Sequence, residues 1–191
     1  MNSNLAYQEE WREELIGGEV AAMAPATPQH NYIAGNIHYV FKHYIRQKKG
    51  KCIPFQDGTA VRLSEENSFI PDFMVVCDRS KISTNRVYGA PDLAVEVLSP
   101  STAKNDKWHK KNVYESSGVP EYWIVSPREK SIEVYLLQYG QYVLDNIYTY
   151  FSPEDMEDMT EEEKNGLVTE FRCHLYDDLI IRLDDIFGDL F

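Results

Sequence analysis

The 191-residue sequence contains no apolar run approaching the roughly 20 residues that a bilayer-spanning helix needs. It has no internal repeat and no low-complexity tract. Its opening stretch, MNSNLAYQEEWREEL, is acidic and amphipathic, so it lacks the basic and then apolar layout of a secretory leader. Cysteine is scarce. Cys52, Cys77 and Cys173 are odd in number, far apart and set among apolar residues, which predicts reduced core thiols in a cytoplasmic protein. No Ser/His/Asp order, glycine-rich phosphate loop or CxxC spacing is present, so the common nucleophilic, nucleotide-cradling and zinc-binding patterns are excluded.

Positive charge is also short: the formal net charge is −12. Its distribution matters more than its size. Residues 145–191 hold 14 acids and 3 bases, whereas the first 144 hold 17 acids and 16 bases. Two basic clusters lie in that near-neutral part, Lys42/Arg46/Lys48/Lys49/Lys51 and Lys104/Lys107/Lys110/Lys111. Charges screen one another over about 8 Å at physiological salt, so a distant acidic tail need not cancel them. Seven acids in ten positions from Glu154 to Glu163 predict a solvated surface segment.

What is present is one domain's worth of chain, 1–191, with an α/β pattern and a mixed sheet. The organising unit is residues 90–125. An apolar strand carrying Asp92 and Glu96 turns at Ser99-Pro100-Ser101 into a lysine-studded helix, which closes at Gly118 and returns as the apolar strand Glu121–Val125. Strand, helix and strand make a crossover unit that is normally parallel and right-handed. Upstream, Tyr7–Leu15 is expected to form a short helix and Glu19–Met23 a strand. A long helix is expected from Gln29 to Lys48, with Ile33, Ile37, Val40, Phe41, Tyr44 and Ile45 as its buried stripe. Lys48, Lys49 and Lys51 then read first as a C-terminal cap that complements the helix dipole, with a DNA contact as the other reading. Cys52–Gln56 and Thr59–Leu63 should pair as a hairpin around Asp57-Gly58, ahead of a single buried strand Phe69–Cys77 and a polar loop 79–90. A second hairpin, Ile132–Gln138 with Gln141–Tyr148, turns at Gly140, and Leu179–Leu183 with Ile186-Phe187 closes the chain.

Acids in apolar strands carry the chemical reading, because a buried carboxylate must be paired, hydrogen-bonded or on a metal. Asp92 and Glu96 share a strand face but stand about 13 Å apart, too far to ligate one ion. Asp72, on another strand, can lie beside Glu96, since neighbouring strands are about 4.8 Å apart. Two carboxylates plus water and phosphate suit Mg²⁺ or Mn²⁺. Asp106 and Lys110 are i,i+4 on the following helix, as are Lys107 and Lys111, and the turn can bring Lys110 towards Glu96. From spacing alone the simpler reading of all four lysines is a solvated helix face. His30 opens the long helix and fits either a cap or a catalytic group; Glu14 is one acid among several; Tyr122 and Trp123 read as core.

On these residues the chain resembles the Uma2 family within the PD-(D/E)XK nuclease superfamily. The matching pieces are EELIGGEV (13–20), PQH (28–30), PDFMVVCD (71–78), APDLAVEVLSPST (90–102), D-x-x-x-K (106–110), YESSGVPEYWIVSP (114–127) and LDDIF (183–187). The resemblance implies a restriction-endonuclease-like mixed sheet flanked by helices. It implies a divalent ion, Mg²⁺ or Mn²⁺, on Asp72 and Glu96, and catalytic roles for Asp72, Glu96, Lys110, His30 and Glu14. The superfamily's usual lysine position, two residues beyond the second acid, is Leu98 here; Uma2 members place that lysine on the next helix, at Lys110 in this chain. Ser126 stands where many members have Asp. The expected activity is metal-dependent endonucleolytic hydrolysis of nucleic-acid phosphodiesters, with DNA as partner and a homodimer as assembly. The alternative is a catalytically silent nuclease-fold module for nucleic-acid binding, regulation or protein interaction.

Overall fold

A computed structural model describes residues 13–23, 25–99 and 105–191. Its centre is a six-stranded mixed sheet in the order β11-β10-β9-β8-β6-β3. The strands are β3 (Ile53–Gln56), β6 (Phe73–Val76), β8 (Leu93–Val97), β9 (Glu121–Ser126), β10 (Ser131–Gln138) and β11 (Gln141–Thr149). Only β8 and β9 run parallel among these neighbours, joined by a π-helical turn Asn105–Lys110 that continues into α2 (Lys111–Ser116). The crossover unit expected between residues 90 and 125 is therefore present. Pro100 and Ser101 of its turn, and Lys104, lie outside the described residues.

Burial on both faces explains the nearly continuous apolar runs of β6, β8 and β9. One face packs against α1 (Pro28–Gln47), α4 (Leu183–Phe187) and a two-stranded sheet of β12 (Glu170–Arg172) and β13 (Ile180–Arg182). Helix α1 begins with Thr27 accepting the His30 amide and Pro28 in the first turn, and it buries Ile33, Ile37, Phe41 and Ile45. The other face packs against Tyr114 and Val119 and a five-stranded sheet, β2-β1-β5-β4-β7. The strands there are β1 (Glu13–Ile16), β2 (Glu19–Ala22), β4 (Ala60–Arg62), β5 (Ser68–Phe69) and β7 (Arg86–Tyr88). Glu121 is buried and accepts from Trp123 Nε1, from the His174 and Leu175 amides and from Cys173 Sγ, which ties the C-terminal pair of strands to β9. The charged segment 152–166 is turns and a short helix, α3 (Glu161–Asn165), with a Thr160/Glu163 capping box. No described helix is long and apolar enough to cross a membrane.

Several sequence expectations change. Residues 13–15 are strand, not helix: Gly17 and Gly18, both at positive φ, turn β1 back onto β2. The rest of the helix expected from Tyr7 lies outside the described residues. Asp57-Gly58 is no hairpin turn, because β3 pairs with β6 while β4 pairs with β5 and β7 in the other sheet. The run 69–77 is split into β5 and β6, with Pro71 unable to donate to a ladder. The loop 79–90 holds a 3₁₀ turn at Arg79–Lys81 and β7. Cys52 and Cys77 are not free thiols. They flank the Ile53/Val76 pair on adjacent antiparallel strands and form a disulfide, leaving Cys173 buried and reduced.

The bridge closes a loop spanning 25 positions. Intact mass without reductant should therefore fall short of the dithiothreitol-treated value by two hydrogens. Cys52→Ser should lower stability by about 3 kcal/mol in denaturant melts.

Candidate active site

Five polar side chains that are ordinarily solvated are buried together where β6 and β8 meet. Relative exposures are 5% for Glu14, 7% for His30, 6% for Asp72, 2% for Glu96 and 3% for Lys110. Each arrives on a different element. The antiparallel register Phe73↔Val95 places Asp72 opposite Glu96, one step beyond the paired residues. Asp72 Oδ2 accepts the Val97 amide at 2.7 Å, so the carboxylate clamps the end of β8. His30, in the first turn of α1, places Nε2 3.1 Å from the same oxygen.

Lys110 approaches Glu96 from the helix above the sheet. Its Nζ lies 3.3 Å from both Glu96 oxygens and 2.9 Å from Glu14 Oε1. Glu14 comes from β1 of the second sheet, and its Oε1 also accepts the Ile70 amide at 2.7 Å. The ammonium is 5.7 Å from the Phe69 ring centroid. All five residues singled out in the sequence therefore come together. Asp92 stands apart as expected, with its carboxylate on the Cys77 amide. The side chains of Asp106 and Lys107 lie outside the described residues. Lys111 does not join Lys110; its ammonium sits over the Tyr135 ring, 3.6 Å from the centroid.

Two participants were missed in the sequence. Tyr114 is fully buried, and its hydroxyl donates to Glu96 Oε1 at 2.8 Å. Burial, and then the charge of Glu96, push its pKa well above the usual phenol range, so it remains a donor. Its signal was the i,i+4 spacing from Lys110, masked by the ordinary appearance of an aromatic at a core position. Asp57, read as turn, donates its amide to the Asp72 carbonyl at 3.0 Å and adds negative charge near His30. Burial alone would lower the His30 pKa, but the Asp72 hydrogen bond and charge, helped by Asp57, outweigh it and raise it.

Three carboxylates thus surround one lysine and one histidine. Such an all-oxygen acidic pair on Asp72 and Glu96 fits a hard divalent ion that keeps several waters. Among the described residues, no three His, Cys, Asp or Glu side chains converge as a complete metal cage. Removing the cation should expose this balance: Lys110→Met should destabilise the protein by about 3–5 kcal/mol. Adding Glu14→Gln should recover part of the loss in a double-mutant cycle read by urea melts.

A family model for Uma2, described as "Putative restriction endonuclease", matches residues 3–167. An uncharacterized protein of Synechocystis sp. is 29% identical over 135 residues, covering 69% of this chain and 70% of that protein. A crystal structure from Anabaena variabilis, described as "a putative nuclease belonging to DUF820", superposes with a TM-score of 0.69 at 17% identity. The match covers 94% of this chain and 91% of that one. The likeness establishes a shared nuclease-type fold.

Proposed function

The chain belongs to the Uma2 family, and from that premise we propose that it is a divalent-metal-dependent endonuclease hydrolysing phosphodiester bonds in DNA. The observation that carries this reading is the ammonium of Lys110, 3% exposed and directed at Glu96 and Glu14 rather than at water. Asp72 and Glu96 would hold the ion. When bound, a divalent cation neutralises phosphate charge and makes water easier to deprotonate.

The chain's own groups do the rest. Asp72 keeps its carboxylate oriented through the Val97 amide, and His30 holds a proton at Nε2 against it. Tyr114 fixes Glu96 through Oε1. Lys110 supplies a localised positive charge beside Glu96, placed to favour the pentavalent phosphate over the ground state. Glu14 anchors that charge from the second sheet, so the lysine loses little freedom when substrate arrives. This scheme places the lysine on the helix, not on the strand with the second acid, while keeping its ammonium at the same carboxylate.

One observation favours the silent-module alternative. Lys110 already faces both oxygens of Glu96, and the Val97 amide and His30 already satisfy Asp72 Oδ2, so the network is largely self-compensated without an ion. Two measurements separate the readings. Mn²⁺ at about a hundred times its Kd should stabilise the parent by about 2.7 kcal/mol, or roughly 5–10 °C in melting temperature. Asp72→Asn should abolish that shift. Independently, supercoiled plasmid with Mn²⁺ should be nicked by the parent and at least about 100-fold more slowly by Glu96→Gln and Lys110→Gln, judged on variants that still melt cooperatively. Absence of both the shift and the nicking in the parent would leave the module.

A further inference from the structure

Helix α1 has a second face whose composition runs against the rest of the protein. Tyr39, Lys42, His43, Arg46 and Gln47 recur at i, i+3, i+4, i+7 and i+8, on the side opposite the buried stripe. All five are exposed and line one shallow groove of about 410 Å³. We infer that this face docks the sugar–phosphate backbone of duplex DNA.

The charge pattern carries the inference. Not one Asp or Glu occurs from residue 20 to residue 56, whereas that stretch holds Lys42, Arg46, Lys48, Lys49 and Lys51. A merely solvated helix face in a chain of net charge −12 would interleave acids with bases, because i,i+4 pairs of opposite sign stabilise an exposed helix. Here no acid is available on the helix. Lys48 is paired with Asp178 from the C-terminal part, but neither Lys42 nor Arg46 is ion-paired among the described residues. Lys42 also helps lower the pKa of neighbouring His38, after burial.

The chemistry of the groove matches a polyanion with a flat, repeating backbone. Lys42 and Arg46 stand about one turn apart, roughly 6 Å along the helix axis, so their two charges project from one strip of the face. Tyr39, 68% exposed, stacks on His43 with ring centroids 5.8 Å apart and planes at 25°. Tyr and Gln are neutral donors to phosphate oxygens, and Lys and Arg are charged ones. The same helix delivers His30 to the buried acid cluster at its other end. A rigid element therefore carries both a basic outer face and one member of the candidate site. Duplex DNA as occupant rests on the nuclease reading above, and the test keeps the two separable.

Binding of a labelled 30-base-pair duplex is followed by fluorescence anisotropy in EDTA across a KCl series, so that no turnover contributes. Lys42→Ala/Arg46→Ala should weaken binding at least ten-fold, and the slope of log K against log salt should become shallower by about 2. The control Arg128→Ala/Lys164→Ala removes two bases from elsewhere on the surface and should leave affinity and slope near the parent values. Equal losses in both doubles, no loss in the first, or no duplex binding by the parent would overturn the proposal. So would tighter binding of the matching single strand or RNA than of the duplex. Nicking in Mn²⁺ is scored separately. A parent that binds but never nicks removes the nuclease reading and leaves the surface; one that nicks while the first double binds normally does the reverse.

Discussion

A lysine ammonium excluded from water is the constraint around which this structure is arranged. Removing such a charge from solvent carries a penalty of several kcal/mol unless opposite charge and hydrogen-bond acceptors replace the lost waters. Lys110 meets that requirement with Glu96 from the central sheet and Glu14 from the smaller one. Three elements distant in sequence are consequently locked together: β1, β8 and the helix after β8. The aromatic wall of Phe69 and Tyr114 closes the remaining space, and Tyr114 adds its own donor to Glu96. The ion-pair network thus specifies how the two sheets sit against each other, and not only how the candidate site is built.

The break at Ile70-Pro71-Asp72 serves both sheets at once. The chain leaves the smaller sheet after β5 and enters the central one at β6, and the junction is free of ladder bonds. Its polar groups are taken up by the acidic cluster instead: the Ile70 amide by Glu14, the Asp72 carbonyl by the Asp57 amide. A buried backbone group without a partner is expensive. The junction therefore needs the Glu14 carboxylate, and the backbone amide at position 57, as much as any chemistry does. The Glu14 carboxylate thus has a structural task besides the proposed chemical one, which is why burial alone does not separate enzyme from silent relative.

Charge is segregated on a larger scale as well. The acids of the C-terminal quarter are mostly solvated or placed in caps and turns, and among the described ones Asp178 reaches α1, where it meets Tyr44 and Lys48. Burial of its ring, helped by that contact, pushes the Tyr44 pKa up to about 12. The base-rich stretch through α1 retains its field on the outward face because the acids are held elsewhere in the fold. A net charge of −12 consequently says little about what any one surface attracts.

Sequence alone determined the elements whose signal is local. The stripe of α1, the apolar runs of β6, β8 and β9, the crossover between them and the β10–β11 hairpin follow from periodicity and turn residues. So does the pairing of Asp72 with Glu96, because strand spacing limits which acids can meet. Tertiary structure decided the rest. Glu13–Leu15 carries enough acids to resemble a helix, yet it becomes strand because two glycines fold it onto β2 and Glu14 is drawn inward to Lys110. Asp57-Gly58 has the composition of a hairpin turn, but the partners of β3 and β4 lie in different sheets. Cys52 and Cys77 are far apart along the chain and become neighbours only through strand pairing. Whether Lys110 faced solvent or Glu96 was likewise undecidable from spacing. An i,i+4 pattern defines a face of a helix, and only packing defines what that face meets.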